Sequence, residues 1–406
     1  MKYDALIIGS GPAGGTAATL LAKAGWSVAV VEKAKFPRRK VCGEFISATS
    51  LPLFHELGIA RPFFELAGPE VREVGLFAGE TVLTSKMPRP KNSTEFWGRA
   101  LGREHLDMLL LDGAAAAGAE VWQPCTALEL QRKNESFICK IAAKGAMREL
   151  QAQVVIAAHG SWEPGALPTQ TIHQARRKSD LFAFKAHFRG CDLPLGLMLL
   201  LVFPGGYGGM VHSDSDRVSI SCCIRRDYLQ RLRRELPDVK AAKAVLKHIQ
   251  ICCRGVRDVL SHAHLENTWL SVGPIRPGIR MRYLQGIFLL GNAAGEAHPI
   301  VAEGISMAMQ SAWLLCERLI GRQQEVLSGR AIEAVGRDYS SVWNAGFAPR
   351  IRAAALFAHL AMRPVTTAML LPVLKLFPEI LTLGAKISGK AKQVITVPHR
   401  YVSLGC

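Results

Sequence analysis

Residues 4–33 read DALIIGSGPAGGTAATLLAKAGWSVAVVEK, and no other stretch restricts the fold as much. Residues 4–8 form a short apolar run suited to a buried parallel strand. Gly9-Ser10-Gly11-Pro12-Ala13-Gly14 follows at once, and small residues then continue to Gly25 with the spacing of a tightly packed helix. Residues 26–31 make a second buried strand, closed by Glu32 and Lys33. Gly9 permits the sharp turn, Gly11 lets a pyrophosphate approach the backbone, and Gly14 lets helix and strand pack closely. The helix amino terminus offers free N–H groups and the positive end of its dipole to phosphates. Glu32 stands where a carboxylate accepts hydrogen bonds from ribose hydroxyls. It would repel a ribose phosphate, so the expected ligand is FAD or NAD rather than NADP. A glycine triplet alone is weak; strand, turn, helix, strand and acid in this order are a strong signal.

With 406 residues the chain is too long for one small core and fits two intertwined domains. A hydrophobic content of 49% with 20% charged residues describes a folded globular protein. The formal net charge of +17 favours anionic partners, or is simply the basic surface of an ordinary enzyme. The positive residues are scattered in small clusters without aromatic interleaving, and no nucleic-acid-binding signature accompanies them, so nucleic acid is not an expected partner. The ten cysteines form no CxxC pair, and no histidine or second cysteine lies at ligand spacing beside Cys42, so no metal site is expected. The start, MKYDALIIG, reads as a strand and not a leader; reduced thiols in the cytoplasm are the expectation.

Residues 286–312, GIFLLGNAAGEAHPIVAEGISMAMQSA, repeat the strand–glycine–helix pattern. This segment resembles the second FAD fingerprint of the para-hydroxybenzoate hydroxylase superfamily. The resemblance places Asn292 at the ribityl chain, Pro299 along the isoalloxazine, and Glu303-Gly304-Ile305 at a helix start aimed at the flavin pyrimidine ring. A helix amino terminus favours the negative charge of reduced flavin. The family usually has Asp at position 292, and an amide can still bond a hydroxyl as donor or acceptor. Residues 96–121, FWGRALGREHLDMLLLDGAAAAGAEV, are similar to the family segment whose arginine contacts FAD, which makes Arg103 the matching residue. The strand around Thr126-Ala127 would meet the adenine end.

The stretch RRKVCGEFIS, residues 38–47, falls in the loop that would run beside the flavin. Its Lys-x-Cys-Gly is like the geranylgeranyl reductase branch of the superfamily, and like oxidoreductases of polyketide and pigment pathways. Cys42-Gly43 then allows close approach to the flavin face, and Lys40 steadies cofactor charge. Cys42 is either a proton donor or redox partner, which needs an electropositive, partly exposed setting, or a small residue shaping the pocket.

The implied fold is α/β: a Rossmann-like FAD-binding domain (residues 1–75, 96–180 and 270–325) interleaved with an antiparallel-sheet substrate domain (76–95 and 181–269), and a helical C-terminal cap (326–406). Apolar segments at 182–188, 197–203, 209–211 and 217–224 suit the sheet. PGGYGG, residues 204–209, is either a strand break carrying Tyr207 toward the pocket or a plain hairpin bend. His159 stands where family hydroxylases carry an aspartate associated with FAD and reduced nicotinamide. The electron donor is therefore NAD(P)H or a separate flavin reductase. In the tail, apolar runs are interrupted by Pro372, Lys375 and Pro378, too soon for a spanning helix. Its basic amphipathic helices could cap a greasy channel or rest peripherally on the inner membrane surface.

The first functional expectation is a flavin monooxygenase hydroxylating a lipophilic phenolic or polyketide-type substrate, with His298 or His212 as base. The second is a double-bond reductase acting on an isoprenoid or polyene, with Cys42 or Tyr207 adding the proton. Halogenation is disfavoured, because the tryptophan-rich GWxWxIP motif is absent. A flavin-binding protein without turnover is the remaining alternative.

Overall fold

The structure, a computed structural model, describes residues 1–90, 97–143, 145–161, 165–170, 175–392 and 394. Phe96, the 162–164 part of the segment after His159, and 395–406 of the tail lie outside the described residues. The first strand, β1 (Lys2–Ile8), leads through the glycine turn into α1 (Pro12–Lys23) and then β2 (Val28–Val31). Pro12 opens the helix, where a missing N–H costs nothing. β1 pairs in parallel with β2 on one side and with Ala146–Ala157 on the other, and the latter pairs in parallel with Ile287–Leu289. Their paired central stretches, residues 5–8, Val28–Val31, residues 154–157 and Ile287–Leu289, are buried, which is why each reads as a short apolar run.

This register lines up the strand ends. Ile8 is level with Ala157, and Ala157 with Leu289, so the turns at Gly9, His159 and Gly291 leave the same edge of the sheet. Gly9 and Gly291 have φ of +98° and +56°, the left-handed region that only glycine enters freely. Ligands of open α/β sheets bind outside this carboxyl edge. Helix α1 lies unusually close: a Cβ on Gly14 would fall 1.8 Å from the carbonyl oxygen of Gly9, and one on Gly15 would fall 2.8 Å from Leu110 Cβ in the helix Arg103–Ala116.

The second sheet runs, edge to edge, His264–Leu265, Leu181–Arg189, Val218–Arg225, Gly206–His212, Leu197–Phe203, Glu73–Ala78 and Thr81–Lys86. Its neighbours are antiparallel except Leu197–Phe203 with Glu73–Ala78, which are parallel. The sheet is thus predominantly antiparallel, and the parallel pair joins strands separated by more than a hundred residues of chain and not by a hairpin. Glu73–Ala78 lies wholly in this sheet, and Leu270–Ile275 pairs with Leu181–Arg189. One face, with Phe184, Ala186, Phe188 and Leu201, packs on Val245, Ile249 and Val256 of short helices. The other face, with Ala183, Lys185, Tyr207 and Cys223, turns toward the nucleotide unit.

The tail divides between the two roles that its sequence allows. The helix Ile332–Ala361 buries Tyr339, Trp343 and Phe347 in the nucleotide core. The next helix, Pro364–Leu376, runs through Pro372 and buries no residue; Val365, Met369 and Leu376 are each 72% exposed. Glu379–Ala385 and the turn Lys386–Lys390 then fold back and bury Ala385, Ser388 and Lys390. Among the described residues no single helix is long and apolar enough to cross a membrane.

Gly14→Ala tests the close approach. In an exposed helix that change stabilises by up to about 1 kcal/mol; here the clash should destabilise by about 1–3 kcal/mol. Urea denaturation decides the sign.

Candidate functional site

A cavity of about 1200 Å³ opens at the carboxyl edge of the first sheet and continues beneath the second. Gly9, Gly11, Pro12, Ala13, Glu32, Lys33, Lys40, Cys42, Gly43, Arg103, Ala127, Tyr207, Asn292, His298, Pro299, Gly304 and Ile305 all line it. Gly14 lies behind, packed on Gly9. Glu32 sits at the end of β2, nearly inaccessible, and its carboxylate accepts from Ser10 N (2.9 Å), Ala34 N (2.8 Å) and Arg38 Nη1 (3.1 Å). A ribose hydroxyl would therefore join an acid already held in place. Arg103 is clamped by Asp107, Nε at 2.7 Å and Nη2 at 2.8 Å, and lies beside Gly11, where a Cβ would stand 3.6 Å from Nη2. The first N–H groups of α1 have no intrahelical partner. Small backbone, helix start and clamped cation together fit a dinucleotide diphosphate. Burial, with the nearby charges of Arg103 and Arg38, brings the Lys40 ammonium down to about 8.

Cys42 is half-buried and accepts from the N–H of Glu44 at 3.4 Å. Glu44 has φ of +65° and is fully buried, as are its two partners from the second sheet, Lys185 and His187. Its carboxylate takes Lys185 Nζ on one oxygen and His187 Nε2, at 2.9 Å, on the other. Burial alone would raise its pKa, but the Lys185 charge and the His187 hydrogen bond outweigh that and hold it well below the usual carboxylate range. This interdomain network escaped the sequence reading. Its signal was present: LFAFKAHFR puts Lys185 and His187 two apart on one face of a largely apolar strand that ends in Arg189.

Two residues singled out separately meet. Tyr207 Oη and His298 Nδ1 are 3.1 Å apart. Burial, then the charge of His359, lowers His298 to about 4, while burial raises the Tyr207 phenol. At neutral pH the phenol is protonated and the imidazole uncharged, and the two share a hydrogen bond. PGGYGG proves to be both a hairpin bend, between Phe203 and Gly206, and the carrier of Tyr207 to the cavity. His212 is corrected as a candidate base: its Nε2 bonds the Leu193 carbonyl at 2.8 Å, outside the cavity, because strand alternation at this end turns it away. His159 lines the cavity, bonded to Thr169 Oγ1 and the Gly160 carbonyl, each at 2.9 Å. Asn292 donates Nδ2 to Glu296 at 3.1 Å, and Glu296 accepts from Ser161 Oγ at 2.7 Å. Glu296 thereby fixes the amide, leaving Oδ1 to accept from a ligand hydroxyl. The residues present fit FAD.

A two-layer nucleotide fold whose glycine turns share one edge, beneath a second sheet, defines a flavoprotein. Residues 2–344 match the FAD binding domain family, and the chain belongs to it; the protein is an FAD-dependent oxidoreductase. It is 27% identical over 361 residues to digeranylgeranylglycerophospholipid reductase 1 of Methanopyrus kandleri, covering 84% of this chain and 83% of that one. Its fold is similar to that of the myxobacterial chondrochloren halogenase CndH (TM-score 0.75, 18% identity, 96% and 91% covered). It is similar as well to that of PqsL, a probable FAD-dependent monooxygenase from Pseudomonas aeruginosa (TM-score 0.68, 17% identity, 95% and 100% covered).

Glu44→Gln leaves the Lys185 charge buried without its counter-ion and should cost about 3–5 kcal/mol at pH 7. A depressed folded-state pKa contributes stability above the unfolded value, and that contribution is lost as pH falls through the folded one. The gap between wild type and variant should therefore hold above pH 4.5, the ordinary glutamate value, and close below it. Chemical denaturation across pH checks both limits.

Proposed function

We propose that this enzyme reduces a carbon–carbon double bond in a long apolar chain of isoprenoid type. The observation that carries this reading is the extent of the cavity. Beyond the dinucleotide residues it runs on between Leu76, Leu200 and Val202 of the second sheet and Leu360, Leu371 and Leu374 of the tail. Such walls offer apolar contact along a chain and few polar partners for a compact phenol. The reductase relative from Methanopyrus kandleri, by its name, acts on a digeranylgeranyl lipid.

FAD, when bound and reduced, would supply hydride chemistry at one carbon of the double bond. The other carbon takes a proton from Tyr207 or Cys42, so two hydrogens are added in all. Tyr207 is a protonated donor at neutral pH, with its hydroxyl held by His298. Cys42 interacts with the Arg103 guanidinium at the cavity wall, which Lys40 also lines. For the cofactor, Gly9, Gly11, Pro12, Ala13 and Arg103 would hold the diphosphate, and Glu32, Lys33 and Ala127 the adenosine. Asn292 would hold the ribityl chain, and Lys40, Gly43, Pro299, Gly304 and Ile305 would hold the ring. Electrons come from NAD(P)H or a separate reductase. Hydroxylation of a phenol is less well served: an imidazole held near 4 is a poor base at neutral pH.

The test is anaerobic. FAD on the enzyme is reduced chemically, and a geranylgeranyl lipid is added. Flavin reoxidation without oxygen, with a product richer by two hydrogens, is expected. Turnover only in air, with a product carrying one added oxygen, would establish hydroxylation instead.

The helix Pro364–Leu376 and its return form the membrane contact in this reading. Val365, Met369, Leu376 and Phe377 are exposed, and Arg363, Lys375 and Lys386 flank them at the surface. Apolar faces rimmed by cations bind anionic bilayers. The chain should sediment with vesicles containing phosphatidylserine and detach as salt rises. A Met369→Asp, Leu376→Asp variant should bind at least tenfold more weakly; equal binding would remove the contact.

A further inference from the structure

The turn Lys386–Lys390 returns from the far end of the tail to the start of the helix Gly304–Gly321. There Lys390 is 4% exposed, and its ammonium meets Glu303 Oε1 at 3.0 Å, the Val301 carbonyl and Ser388 Oγ at 3.4 Å. The Phe45 ring lies 5.4 Å from the same nitrogen. Glu303 is buried, and among the described residues its second oxygen, Oε2, has no hydrogen-bond partner. Arg350 stands behind, bonded to Gln310 Oε1 at 3.2 Å, and a Cβ on Gly389 would fall 2.6 Å from its Nη1. Lys390, Phe45, Val301 and Gly304 all line the cavity.

The place of this pair matters more than its strength. With a diphosphate at the Gly11 end, the rest of the dinucleotide must extend toward the Cys42-Gly43 loop and the Pro299–Val301 turn, where the reacting ring meets substrate. Reduction adds negative charge to that ring. A carboxylate at the head of the helix opposes the added charge, while the helix dipole favours it. In a buried site such charges are poorly screened.

We propose that Lys390, brought in by the C-terminal turn, and Glu303 form a charge pair that sets the redox potential of the bound flavin, with Lys390 cancelling the carboxylate at the helix head. The tail is then an electrostatic part of the redox centre as well as a wall of the substrate channel. This inference rests on the cavity being the FAD site, and on nothing about the substrate.

The measurement is the midpoint potential of FAD bound to the full-length chain, by anaerobic dye-coupled reduction, with FAD affinity measured in parallel. Glu303→Gln leaves the lysine charge uncancelled, so reduced FAD should bind at least about tenfold more tightly relative to oxidised FAD. That is a rise of about 30 mV for a two-electron couple. Lys390→Met should not raise the potential, Lys390→Arg should keep the wild-type value, and the double variant Glu303→Gln, Lys390→Met should return to it. A purely structural pair would shift stability and affinity without this ordering. An unchanged potential in Glu303→Gln with FAD still bound, or a double variant that stays raised, overturns the proposal. If Glu303→Gln does not fold, a potential higher in Lys390→Met than in Lys390→Arg overturns it as well. Failure of the wild type to bind FAD would instead contradict the cofactor site, and the parallel titration reveals that separately.

Discussion

A missing methyl group at position 14 underlies the rest of the structure. With no Cβ there, α1 can lie against the Gly9 carbonyl at a distance no side chain permits. That contact fixes the helix start relative to the strand ends, and the parallel register then brings Gly9, His159 and Gly291 to one edge. Glu32, at the end of the neighbouring strand, is held by the backbone of Ser10 within the same turn. The cavity is what this edge leaves open once the second sheet covers it.

The cover is held by charge as well as by apolar contact. Glu44 leaves the Cys42-Gly43 loop and enters the second sheet between Lys185 and His187. A buried ionic network of this sort is a weak source of net stability, because desolvation offsets its attraction. Its effect here is geometric: it fixes a loop that lines the cavity against the strand that roofs it. Cys42 is tied to the same residue through the Glu44 N–H. The tail adds a second buried pair, Lys390 with Glu303, beside the Phe45 ring. The cavity is thus bordered by two ion pairs, each joining segments remote in sequence.

What could be read in advance follows from how local each signal is. The nucleotide turn was legible because glycine spacing, strand and acid lie within thirty-odd residues and each has one physical purpose. Asn292, Pro299 and Gly304 were named through the resemblance to the second FAD fingerprint, and all three line the cavity. Tyr207 and His298 could be named separately, but not paired, since a hydrogen bond across 91 residues leaves no local trace. His212 was misjudged: strand alternation decides which way a side chain points, and the exact register was not available. Glu44 was hidden because its partners belong to the other sheet, and Lys390 because the tail's composition says helix without saying where its end returns. The tail itself posed a choice between cap and surface helix that the sequence could not make; the fold assigns its first helix to the core and leaves the second exposed.

The claim beneath all of this is that glycine turns nearly 300 residues apart close on one FAD. The direct measurement is titration of FAD into the purified, flavin-free chain, followed by fluorescence quenching and thermal unfolding. The account predicts one FAD per chain, a yellow protein after gel filtration, and a raised melting temperature. A ligand at a hundredfold excess over its Kd stabilises the folded state by about 2.7 kcal/mol. A chain that stays colourless, with its melting temperature unmoved by excess FAD, would contradict it.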